Sequence, residues 1–248
     1  MQVKQAANVI ELLEFFAKRQ RPATLAEISE ELGWPRSSAY NIIGTLAEMG
    51  YLYEPRARNG YYPSPRWSSV VGAIAEAEPL PEAALQLVAE LAAETGETTA
   101  IGGPAGTLAI FIHVVESPHP IRYFAKVGHK LPIQATSTGR AILAQYTPAE
   151  RQALYRRINF EKYSETTPTS IDAVETELRR SAERGYHQSN ADYSADLVGV
   201  ALSLPIQGKR LSLVVAGPMY RCSARAPEIA ATMKRAVARF AAELDLQY

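Results

Sequence analysis

LAEISEELGWPRSSAYNIIGTLAEMGYL, residues 25–52, decides the fold of the N-terminal region. Thr24 stands just before it and Glu27 follows three residues later. That spacing lets hydroxyl and carboxylate satisfy the unpaired amides of a helix start, so a helix is predicted from Leu25 to Gly33. Gly33, Trp34 and Pro35 break the chain, and Pro35 suits the first turn of a new helix, where a missing N–H costs nothing. In that new helix Ala39, Ile42, Ile43 and Leu46 follow the i, i+3, i+4, i+7 pattern of a buried stripe. Upstream, Val9, Leu12, Leu13 and Phe16 repeat the pattern and predict a helix in front. Downstream, Tyr51, Leu52 and Tyr53, the polar EPRARNG and then Tyr61 and Tyr62 read as a β-hairpin with Asn59-Gly60 near its turn. Three helices closed by a hairpin make a winged helix-turn-helix over residues 1–65.

Burying that stripe leaves Arg36, Ser37, Ser38, Tyr40, Asn41 and Thr45 on or near the outer face of the second helix. Ser, Tyr and Arg can hold phosphates, and Asn or Arg can bond base edges in pairs, so the expected partner is double-stranded operator DNA. Thr24 is placed at the same interface, and Arg56, Arg58 and Asn59 at the wing tip would straddle the neighbouring phosphate backbone. Any such binding is local, because Lys plus Arg and Asp plus Glu both number 26 in the 248 residues.

Beyond residue 65 the pattern changes. The stretch 66–79 reads as a linker helix ending at Pro79 and Pro81, and residues 80–248 as one further domain. LPEAALQLVAELAAETG is a helix with Gly96 at its C-terminal end, followed by the β-rich runs TTAIGG, TLAIFIHVVES and IRYFAKVG and the helix STGRAILAQY. A charged helix over 169–185 precedes LVGVALSLPI and LSLVVAGPM, read as a hairpin about QGKR, and a closing helix covers 227–245. The expectation is α+β, an antiparallel sheet with flanking helices. The hydrophobic share of 47% can fill such a core, and the single Cys222 excludes an intramolecular disulfide. With no long apolar run, a cytoplasmic chain with no membrane partner is expected.

LAEISEELGWPRSSAYNIIGTLAEMGYL resembles the helix-turn-helix of the IclR family of transcriptional regulators. The likeness continues through TGETTAI, VVESPHPIRYFAKVGHKLPIQATSTGRAILA and VVAGP, spanning about residues 3–221. It implies a GAF-like effector domain, a homodimer or dimer of dimers, and palindromic or repeated operators. Two positions depart from the family: Asn41 stands where Arg is frequent, and Trp34 where Leu precedes Pro.

In QATSTGRAILA, hydroxyl residues precede a helix whose first amides are unpaired, a seat suited to a carboxylate; equally, Thr136 and Ser137 could simply cap their own helix. The resemblance favours the ligand seat. It places Ser137 and Thr138 at the helix start, Tyr123 on the preceding strand, and Asp192 with Tyr193 in the loop before LVGVALSLPI. It also puts Ala201 where many members have Cys, and Val214 and Ala216 on a strand usually rich in Ser. The more apolar wall implies an aromatic or partly apolar carboxylate as small-molecule effector. No cofactor and no metal are expected. The competing class is a cofactor-free hydrolytic enzyme with an appended DNA-binding domain, built on Ser137, His113, His129, His187 and Asp192. Against it, the chain lacks GxSxG, HExxH, GxxxxGK[ST] and a GxGxxG after a strand.

Overall fold

In the computed structural model, which describes residues 3–55, 60–77 and 80–247, helix α1 (Lys4–Arg19) turns Leu12, Phe15 and Phe16 inward. Phe15 completes that stripe, whereas Leu13 is half-buried. Helix α2 (Leu25–Glu31) starts at the expected capping box: Thr24 Oγ1 accepts from the Glu27 amide at 3.3 Å, and the Thr24 amide donates to Glu27 Oε2 at 2.8 Å. Helix α3 (Arg36–Glu48) begins directly after Pro35 and buries Ala39, Ile43 and Leu46 against α1 and α2. Trp34 fills the corner, with its indole N–H donating to Glu11 at 3.2 Å.

The wing consists of β1 (Leu52–Tyr53) and β2 (Tyr62–Pro63), paired antiparallel. Gly60 lies where Tyr61 bridges Ala23; a β-carbon there would come within 2.3 Å of the Ala23 backbone, so no larger residue fits. Helix α4 (Arg66–Ala77) follows, anchored by Trp67, whose indole N–H donates to the Tyr51 carbonyl at 2.9 Å. Contacts divide the chain into two units, Met1–Pro79 and Leu80–Tyr248.

In chain order the second unit contains α5 (Glu82–Thr95), β3 (Thr98–Ala105), β4 (Leu108–Val115) and β5 (Lys130–Pro132), then α6 (Ser137–Leu143), α7 (Pro148–Tyr155) and α8 (Ile171–Arg184). After these come β6 (His187–Asn190), β7 (Leu197–Ile206), β8 (Lys209–Pro218), α9 (Met219–Cys222), α10 (Ala226–Arg239) and α11 (Ala241–Leu244). The strands form one antiparallel sheet in the order β5-β4-β3-β8-β7-β6. Leu87, Leu91, Ile229 and Met233 of α5 and α10 pack on one face, and Ile142, Leu154 and Val174 of α6, α7 and α8 belong to the core on the other. The β7–β8 hairpin turns tightly on Gln207 and Gly208, both at positive φ (50 and 74).

Two expectations need correction. Residues 121–128 form no strand: Ile121, Phe124 and Val127 recur every three residues, not every two, and all are exposed. The closing helix is two, α10 and α11, divided at Phe240. The structure adds helix α7, which Thr147, Pro148 and Glu150 start with a second capping box.

Candidate functional site

On α3, Arg36, Ser37, Tyr40, Asn41 and Thr45 are exposed and Ser38 is half-buried, so the expected polar face exists. Tyr40 is 68% exposed, and nothing lies within 4 Å of a β-carbon built on Gly44, which leaves the middle of the helix open to close approach. Two hydroxyls on this surface are already engaged. Thr45 Oγ1 donates to the Asn41 carbonyl at 2.7 Å, and Thr24 Oγ1 lies 3.0 Å from Glu27 Oε2, so each offers a partner mainly its lone pairs. Arg56, Arg58 and Asn59 lie outside the described residues.

In the second unit a small cavity of about 30 Å³ lies at the start of α6, between that helix and the sheet. Six of the eight expected effector residues line it: Tyr123, Ser137, Thr138, Tyr193, Val214 and Ala216. The structure adds Phe111, Leu131, Thr136, Ser189, Leu197 and Gly199. Strand register explains part of the addition, since Ser189, Gly199 and Ala216 are one cross-strand row. Reading inward from Ala216 across the hairpin would have found Gly199.

Thr136 caps α6 by accepting from the Gly139 amide at 3.1 Å. The amides of Ser137 and Thr138 precede the first i−4 bond, which runs from Arg140 to Thr136. With 7 residues α6 carries only a small dipole, so local amides and hydroxyls supply the donors. Gly199 and Gly102 let the helix settle on the sheet: a β-carbon at Gly199 would lie 2.5 Å from Ser137 Oγ, and one at Gly102 2.5 Å from Thr138 Cγ2.

Tyr123 lies in a loop, not on a strand. Its carbonyl accepts from Thr98 Oγ1 at 2.7 Å, and its ring stacks on His129 with centroids 6.4 Å apart. Burial, and then the neighbouring Tyr193, push its phenol well above the usual range, so it remains a protonated donor. Tyr193 packs edge-on against Tyr163 at 5.3 Å. Tyr123, Tyr193 and Leu197 also border an open basin of about 330 Å³ beside Ile121 and Phe124, so the two phenols stand between basin and cavity.

Asp192 and Ala201 do not line the cavity. The Asp192 carboxylate accepts from Arg140 Nη2 at 2.7 Å, and its carbonyl accepts from Thr167 Oγ1 at 2.6 Å, so it anchors the loop. Ala201 is fully buried between His187 and Val214 in the sheet. Among the described residues no hydrogen bond joins Ser137 to a histidine, and no group of three or more His, Cys, Asp or Glu residues is placed to hold a metal ion.

Comparison with known proteins finds a family match in each of the two units. Residues 5–56 match the IclR helix-turn-helix domain and residues 73–242 the domain described as bacterial transcriptional regulator IclR C-terminal. The chain is 24% identical over 225 residues to the transcriptional repressor IclR of Escherichia coli, covering 89% of this chain and 82% of that protein. It is 25% identical over 189 residues to the regulator XynR of the same organism, covering 74% and 73%. A crystal structure of an IclR homolog from Microbacterium hydrocarbonoxydans complexed with 4-hydroxybenzoate superposes with a TM-score of 0.76 at 20% identity, covering 98% of this chain and 99% of that one. With two domain models matched in tandem over most of its length, the chain belongs to the IclR family, transcriptional regulators with a helix-turn-helix DNA-binding domain.

Proposed function

We propose that this regulator binds double-stranded operator DNA through α3 and the wing, and that a small organic acid seated beneath Tyr123 and Tyr193 modulates that binding. The observation that carries the reading is the cavity's two-sided chemistry. Ser137, Thr138 and the Tyr123 phenol offer donors, while Phe111, Leu131, Val214 and Ala216 make much of the rest of the lining apolar. That combination suits an aromatic carboxylate, and the 4-hydroxybenzoate held by the Microbacterium homolog is of this class. A cavity of about 30 Å³ holds little more than a water molecule, so the acid enters by displacing the Tyr193 loop toward the basin. One recognition helix reads too few base pairs for genomic specificity, so the working unit is a homodimer or dimer of dimers in the cytoplasm. The exposed Val70, Val71 and Ile74 of α4 supply an apolar face for such pairing.

The test is calorimetric titration of the full chain with 4-hydroxybenzoate, benzoate and pyruvate, followed by mobility shift of its own upstream DNA. Saturable binding of a benzoate-like acid, with changed DNA affinity, is expected. Binding of pyruvate alone would overturn the aromatic assignment, and DNA binding indifferent to every acid would overturn the modulation.

A further inference from the structure

A second, larger concavity opens elsewhere in the same unit, and nothing in the reading above uses it. Strand β6 covers the outer edge of β7 only as far as the His187–Ala201 pair, and Leu246 bridges that edge again at Ile206. Between the two lies a cleft of about 570 Å³, within the roughly 300–1,000 Å³ typical of small-molecule sites. Leu202, Val237, Ala238 and Leu246 make its walls largely apolar. Two polar groups stand out against them.

His187 lines the cleft, is 8% exposed, and its Nδ1 has no hydrogen-bond partner. A buried polar atom left unpaired is costly and uncommon in a native fold. Burial, with Arg140 and Arg184 nearby, lowers its pKa to about 3, so the ring is neutral. A hydroxyl complements that nitrogen in either tautomer, because it can both donate and accept. Lys234 is the second group: it is exposed, makes no ion pair among the described residues, and lies over Gly185 with Nζ 2.7 Å from where a β-carbon would sit. Arg184 and Arg140 behind it are paired with Glu177 and Asp192, so the charge that draws an anion to the cleft is that of Lys234.

We infer that this cleft is a second ligand site, distinct from the cavity at α6, for a small hydroxy acid with an apolar body: hydroxyl to His187, carboxylate to Lys234, and body against Leu202 and Val237. The probe is 3-phenyllactate, added to full-length protein labelled with nitrogen-15 in its histidines. His187 reports the cleft and His129, stacked on Tyr123, reports the α6 cavity; each signal is assigned by its loss in a His→Gln variant. The His187 Nδ1 resonance is expected to shift saturably, whether or not His129 also moves. Ala238→Trp, an exposed position that fills the cleft, should abolish the shift, and Lys234→Glu should weaken it about tenfold. Removing the hydroxyl, as in 3-phenylpropanoate, should weaken binding about tenfold. A shift of His129 alone, no shift at all, or a His187 shift undiminished in a folded Ala238→Trp protein would each overturn the assignment.

Discussion

Helices α3 and α6 both follow a turn and both open on small hydroxyl residues, Ser37 and Ser38 in the first, Ser137 and Thr138 in the second. In α3 the apolar residues form one buried stripe and the polar ones face outward. In α6 all seven residues are buried, Arg140 completely. The same side-chain chemistry thus has two different duties. A polar residue on α3 costs the fold nothing and is available to an external partner. A polar residue on α6 must be satisfied within the protein or by a molecule that enters it.

The comparison breaks most readily at Arg140. Its guanidinium donates to the Gln134 carbonyl at 3.2 Å and to Asp192 at 2.7 Å, and it also reaches the Gln188 carbonyl. Arg140→Met removes those bonds and strands a mostly buried carboxylate, so urea titration should show a loss of roughly 3–5 kcal/mol. A loss below about 1 kcal/mol would mean that α6 is not held from within.

A second effect should come from the neighbouring His187. Its folded pKa, lowered to about 3, lies below its ordinary value near 6.5. Between those values the unfolded chain binds a proton that the folded chain refuses, so stability is complete above about pH 6.5 and declines as pH falls. Unfolding free energies from urea titration at pH 7.5 and 5.0 should differ by about 2 kcal/mol more in the parent than in His187→Gln. Equal pH dependence in the two proteins would show that the imidazole is not excluded from protonation.

The smallest effect on the fold should come from α3. Arg36→Ala should change stability by less than about 0.5 kcal/mol and yet weaken binding to upstream DNA by roughly 1–3 kcal/mol in fluorescence anisotropy, leaving effector binding untouched. If DNA and effector binding fell together, the contrast between the two helices would fail.

The helical unit was legible because its signals are local: a capping box at Thr24 and Glu27, a break at Gly33 to Pro35, and apolar residues at helical spacing. The same kind of signal at Thr147 and Glu150 starts α7. The effector region was legible only in part. Ser137, Thr138, Val214 and Ala216 reach the cavity because they belong to regular elements whose facing is periodic. Tyr193 and Tyr123 reach it from loops, Tyr123 from a segment first read as strand. Asp192 is one residue from Tyr193 and turns instead to Arg140, 52 positions earlier, a pairing that no local pattern announces.

The floor of that cavity has a consequence for how ligand preference could be altered. Gly199 and Gly102 leave just enough room for Ser137 and Thr138 to stand where they do. Enlarging either glycine would not simply shrink the chamber; it would swing a hydroxyl away, so these positions behave as rotamer settings for their neighbours on α6. Ala216 and Val214 instead form wall, where changes in bulk alter the shape of the chamber directly. If the proposed acid occupies this cavity, redesign of its specificity has two separate controls, with donor direction set from beneath and molecular outline set from the side.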